Sequence, residues 1–318
     1  MAAVIKPGWS KPTSILFASE IPVNEKAFGV ALAEAAEFDA DLIVFHAYNR
    51  PYVAPAKGAV SRSSEYSLAR AEKERFEPLA QRAKNLGIHC RVVVRPGSAA
   101  EQILNFLRER RIDRVVMGAH TPGPIGKLLV GSVAEAVLRN ANVPVNIVGP
   151  EVVEGAYRHF VTRTILCSVG DGDSSRVVAR FAAELACRHN ASLVLQQVIP
   201  HQERAEMLAG RTLAEMDASL LSMIPDELQG KIEVRTRTIH GDPTEELLYQ
   251  GRSQRANLIV MGAQGASQFA AISRAGIVYK VLAYAQCPVM TLSPVVLAEC
   301  GAGEDRPQHQ ELCMAGVF

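Results

Sequence analysis

Residues 118–132 read GAHTPGPIGKLLVGS, a stretch that sets glycines, a lysine and a serine just ahead of an apolar helical pattern. Residues of these types hold anions. Unpaired backbone N–H groups at a helix start attract phosphate, and the Ser132 hydroxyl would add a donor. Glycine at 118 and 131 lets the backbone approach the anion closely, with Lys127 in reach as a point charge. The same letters also have a purely structural reading. Ser132-Val-Ala-Glu135 spells a capping box, and Thr121-Pro-Gly-Pro is a rigid turn.

The rest of the chain offers little for turnover. No nucleophile with a partnered base can be named, and His120 has no orienting carboxylate in sequence. His46, at the end of a strand, reads as a satisfied core histidine. SVGDGDSS at 168–175 is a partial match to the S-G-G-x-D-S loop of adenylating enzymes. It misplaces the aspartate, and reads better as a turn with a helix cap at Asp173 or Ser174. The cysteines at 90, 167, 187, 287, 300 and 313 show no CxxC and no metal-ligand spacing. They read as reduced core thiols, apart from Cys300 and Cys313 on the tail, which are idle or, on oxidation, bonded to each other.

The elements that must position the loop come from a repeat. DRVVMGAH at 113–120 recurs as NLIVMGAQ at 257–264, and NVPVNIVGP at 142–150 as QCPVMTLSP at 286–294. SILFAS at 14–19 matches TILCSV at 164–169, at a slightly larger offset, so the first copy has the longer middle loop, placed at 50–64. Strands are expected at 14–19, 42–47, 90–95, 114–118 and 143–148, and again at 164–169, 192–199, 232–239, 258–262 and 288–292. Between them lie helical patterns. Val178, Phe181, Ala182 and Leu185 mark one buried helix face, and Leu213, Met216, Leu220 and Met223 another. Ser98-Ala-Ala-Glu101 and Asp242-Pro-Thr-Glu245 look like capped helix starts. Apolar strands separated by helices imply two tandem doubly wound α/β domains, each a five-stranded parallel sheet flanked by helices. The expected division is an N-terminal arm at 1–11, domains at 12–149 and 162–294, a linker at 150–161 and a flexible tail at 295–318. Each domain would end in an edge strand, and pairing those two edges would make an intramolecular pseudo-dimer.

Bulk properties agree with a globular chain of two domains: 318 residues, 48% hydrophobic, 21% charged and a net charge of +1. That balance gives no electrostatic case for nucleic acid or membrane, and no apolar run is long enough to span a bilayer. The start MAAVIKPGWSKP lacks a signal core, and a cytoplasmic location is expected.

A VMGAH-type strand end, a glycine-bearing loop and GSVAEAVLRNANVPVNIV together resemble the universal stress protein family, in its tandem two-domain form. The resemblance implies an adenine nucleotide alpha hydrolase-like fold and a non-catalytic, or at most weakly ATP-hydrolysing, stress-response module. It implies ATP or AMP as ligand, with Mg2+ accompanying ATP, and a homodimer or a protein as further partner. The family's motif G-x-x-G-x9-G-[S/T] falls on Gly118, Thr121, Gly131 and Ser132, flanked by Met117, His120 and Val133. The adenine side falls on Glu20, where the family has Asp, and on Ala47. Thr121 replaces the second glycine, and a β-branched residue resists positive φ. The second copy keeps Gly262 and Gly265, with Arg274 available to an anion. It has Ala275 and Gly276 where the last glycine and the serine belong, and so should bind poorly. The alternative is an interaction protein of the same fold that has lost nucleotide binding and docks a partner.

Overall fold

The computed structural model describes residues 5–49, 62–119, 131–153, 162–170, 172–200, 212–263 and 274–301. In the first half these form α1 (Pro7–Ser10), β1 (Ser14–Ala18), α2 (Glu25–Phe38), β2 (Asp41–Tyr48), α3 (Arg62–Asn85), β3 (Cys90–Pro96), α4 (Ala99–Glu109), β4 (Arg114–Gly118), α5 (Ser132–Asn140) and β5 (Val145–Val148). The second half follows as β6 (Thr164–Val169), α6 (Asp173–His189), β7 (Ser192–Ile199), α7 (Leu213–Leu221), α8 (Asp226–Gln229), β8 (Val234–His240), α9 (Pro243–Ser253), β9 (Leu258–Gly262), α10 (Arg274–Tyr284), β10 (Val289–Leu292) and α11 (Pro294–Gly301).

The strands form one sheet in the order β3-β2-β1-β4-β5-β10-β9-β6-β7-β8. All neighbours run parallel except β5 and β10, which meet antiparallel at the seam with Met290 opposite Asn146. Burial follows from this arrangement. Strands covered on both faces are largely apolar, and β5 (VNIV) and β10 (VMTL) are buried at every position, Asn146 and Thr291 included. One face carries a core shared by the halves, in which Val137, Leu138 and Ile147 pack with Val281, Leu282 and Val289. Glycine is required where the chain leaves β5. A Cβ on Gly149 would lie 2.1 Å from the Leu282 carbonyl oxygen, so only a bare Cα lets the halves close.

On the opposite face each half keeps its own core, around α2 and α3 in the first and α6 in the second. There the expected stripe Val178, Phe181, Ala182 and Leu185 is buried. In α7 only Met216 and Leu220 are buried. Leu213 is 44% exposed, and Met223 lies beyond the helix end, because Pro225 stops the run.

Several local expectations are corrected. The Ser98 side chain makes no capping bond, whereas Asp242 accepts from the N–H groups of Thr244 and Glu245. The cap of α6 is Gly172, at φ +104°, not Asp173 or Ser174; the Ser175 hydroxyl instead accepts from the Gly170 N–H. The chain after Pro294 is not loop-like at its start. α11 buries Val296, Leu297 and Cys300 against α6, and the Ser293 hydroxyl caps it by accepting from the Val296 N–H. Cys300 is therefore a core thiol, with burial pushing its pKa up to about 11. Cys313 lies outside the described residues. Ile5 and Trp9 are buried in the second half's core, and the Trp9 carbonyl accepts from Arg114 of the first half.

Candidate functional site

In the order β3-β2-β1-β4-β5 the sense of winding reverses between β1 and β4. Ligands of open α/β sheets bind beyond the carboxyl ends of the strands at that point. The sequence-predicted residues assemble there: Glu20 follows β1, Ala47 lies near the end of β2, Met117 and Gly118 end β4, and Gly131-Ser132-Val133 open α5. His120, Thr121 and Lys127 of the loop lie outside the described residues, as does the proposed middle loop up to residue 61.

The start of α5 bears on the capping reading of Ser132. Gly131 is the N-cap, which has no side chain to cap the helix, and Ser132 is already the first helical residue. A capping box needs its serine one position earlier, so the Ser132-to-Glu135 box does not form. The N–H groups of the first turn are thus left without a cap from their own helix, and the Ser132 hydroxyl is exposed. Glu135 instead pairs with Arg139 at 2.6 Å. Arg139 also bonds Tyr279 of α10, which raises its own pKa and links the halves; the Tyr279 phenol is itself raised, chiefly by burial.

Gly118 has a neighbour that sequence reading did not single out. A Cβ there would come within 2.3 Å of Asn24 Nδ2. Asn24 caps α2 by accepting from the Ala27 N–H at 3.0 Å, which orients its amide across the end of β4. The signal was the asparagine directly before an apolar helical run, a standard N-cap position. Met117 is different. Its side chain is buried in the shared core, so only its backbone faces the strand ends. Ala47 and Val133 also pack against that core, while Glu20 is exposed. His46 is held as a core histidine should be: Nδ1 lies 2.9 Å from the Ser19 carbonyl, the ring stacks on Phe76 at 4.6 Å, and Nε2 lies 3.9 Å from Glu72.

In the second half, Gly262 ends β9 as Gly118 ends β4. The space beside it is filled by Val178 and Leu297 rather than by an amide. Gly276 lies inside α10, which already begins at Arg274, so no glycine-serine helix start exists there. Gly265 lies outside the described residues. Among the described residues no group of three His, Cys, Asp or Glu side chains could hold a metal ion, and no helix is long and apolar enough to cross a membrane.

These features define a class: a tandem, doubly wound α/β protein whose halves share one sheet, with a glycine N-cap opening the helix after the fourth strand of the first half. The model of the universal stress protein family matches residues 13–149 and again 162–293, and the chain belongs to that family. It is 23% identical over 289 residues to a universal stress protein of Mycolicibacterium smegmatis, covering 85% of this chain and 93% of that one. A universal stress protein of Methanocaldococcus jannaschii is 31% identical over 128 residues, 40% of this chain and 75% of the relative. The crystal structure of a universal stress protein from Archaeoglobus fulgidus superposes with a TM-score of 0.68 at 18% identity, over 90% of this chain and 97% of that one.

Proposed function

We propose that the first half, residues 12–149, binds an adenine nucleotide, ATP or AMP, at the carboxyl end of its sheet. The second half, 162–294, would serve as a pseudo-dimeric partner that binds poorly or not at all. The observation that carries this reading is the start of α5, where Gly131 supplies no capping side chain and Ser132 keeps its hydroxyl. Phosphate would take the first-turn N–H groups and that hydroxyl, with the helix dipole favouring negative charge. Asn24, held across Gly118, offers an amide donor beside the same strand end. Mg2+ would enter only with ATP, bound mainly by phosphates and water, since the described residues here supply no carboxylate cluster. Among the described residues no base is seen positioned for water attack, and the expected role is ligand holding in a cytoplasmic stress response, with at most slow ATP hydrolysis.

The test uses the purified full-length protein. Denaturation should release adenine nucleotide into the supernatant, and the stripped protein should show saturable heat on titration with ATP. No nucleotide and no heat would instead favour an interaction protein of this fold that docks a protein partner.

A further inference from the structure

A cavity of about 330 Å³ opens at the other end of the sheet, where Asp113 and Val143 precede β4 and β5. Five strand residues separate it from the Gly118 end, roughly 15 Å at strand rise. Leu107, Ile112 and Val143 give it an apolar wall, and the turn Pro7–Ser10 roofs it. Arg110 and Arg111 stand at its rim and are exposed, and neither forms an ion pair among the described residues.

The acidic groups nearby are already engaged. Asp113 Oδ2 accepts from the Thr13 N–H, the Thr13 hydroxyl and the Ser14 N–H. Glu109 is held by Arg95 through two bonds, which keep its carboxyl below the usual range. Lys6, also on the rim, is paired with Glu299. The two rim arginines therefore outnumber the one carboxylate in the lining, Asp113, whose three donors are neutral groups, and leave net positive charge at the mouth of a partly apolar space. One wall residue adds a polar requirement: Asn142 Oδ1 is buried without a hydrogen-bond partner. An unmet buried acceptor is costly, and a ligand hydroxyl reached by a small turn of the amide would satisfy it.

We propose that this cavity is a second ligand site, which takes a small amphipathic carboxylate bearing a hydroxyl on its apolar body. Its volume matches the low end of small-molecule pockets. The carboxylate meets Arg110 and Arg111, the body lies on Leu107 and Ile112, and the hydroxyl reaches Asn142. Such a ligand would touch both the N-terminal turn and α4. It would thereby brace a turn whose Ile5 and Trp9 are seated in the other half.

The experiment is calorimetric titration of the full-length protein with 4-hydroxybenzoate, benzoate and 4-hydroxybenzyl alcohol at low and high salt. The hydroxy acid should bind, and its affinity should fall as salt screens the exposed arginines. The neutral alcohol should bind about tenfold more weakly, and Arg110→Ala with Arg111→Ala should cost the acid a similar factor. Asn142→Val should remove the preference for 4-hydroxybenzoate over benzoate while leaving benzoate binding unchanged. Saturating ATP should not displace the acid. No heat with either carboxylate at millimolar concentration overturns the proposal. So does an alcohol that binds as well as the acid, a double-arginine variant that binds like the parent, or displacement by ATP. The nucleotide reading stands or falls separately, on ATP titration alone.

Discussion

The two halves share a strand order and a glycine at the end of the fourth strand, yet they fill corresponding places with different chemistry. Beside Gly118 lies the Asn24 amide; beside Gly262 lie Val178 and Leu297. At the amino end of the fourth strand, Arg114 is fully buried in the first half. It donates to Glu34 at 3.0 Å and to the Trp9 carbonyl at 2.7 Å, and Asn146 donates to the other Glu34 oxygen. The matching positions in the second half are Leu258 and Met290, and Glu184 pairs instead with Arg180 on its own helix. The exchange also runs the other way. Phe45, opposite Ala18, packs on Phe106 at 5.1 Å; Gln196, opposite Ser168, is fully buried with neither amide atom bonded. Duplication kept the backbone plan and let the interior diverge. The first half retained polar atoms near its strand ends and seam, while the second closed its Gly262 end with α11.

Four experiments break or sharpen this comparison. Arg114→Leu puts the second half's residue into the first, leaving Glu34 buried without its cation, and should cost about 3–5 kcal/mol in denaturant unfolding. Adding Glu34→Leu and Asn146→Met should recover most of that loss, because a complete apolar replacement leaves no orphan charge. Failure of the triple variant to recover would mean that the Trp9 contact, not the charge, dominates.

Gly131→Trp tests the polar end of the first half. The backbone there, at φ −54° and ψ 150°, accepts any residue, so the fold should hold. ATP affinity should fall at least ~100-fold, about 2.7 kcal/mol. The corresponding change in the second half, Ala275→Trp, should leave nucleotide affinity unchanged in the same titration.

The third contrast sets Gly118→Ala against Gly262→Ala. The first pushes Asn24 off α2 and should cost roughly 1–2 kcal/mol, as loss of a cap does. The second meets Val178 and Leu297 at 3.4 and 3.6 Å, ordinary contact, and should move thermal stability by less than about 1 kcal/mol. Equal costs would erase the distinction between the two strand ends. The smallest effect is a gain. Gln196→Met removes two unsatisfied amide atoms at similar volume and should add about 1 kcal/mol to the unfolding free energy.

Sequence alone determined what depends on local order and on the repeat. The alternation of apolar strands and amphipathic helices, the doubling of the unit and the glycine-serine helix start could be read because each rests on residues near one another in the chain. The Asp242 cap was legible for the same reason. Tertiary structure decided the rest. Whether Ser132 caps its helix or keeps its hydroxyl depended on a one-residue shift in where the chain turns into α5. That Asn24 lies over Gly118, that Trp9 of the first residues meets Arg114, and that residues after Pro294 fold onto α6 are contacts between distant segments. Such contacts form because buried polar atoms need partners and apolar surface needs cover, wherever in the chain the supplier lies. No local pattern of letters records who that supplier is.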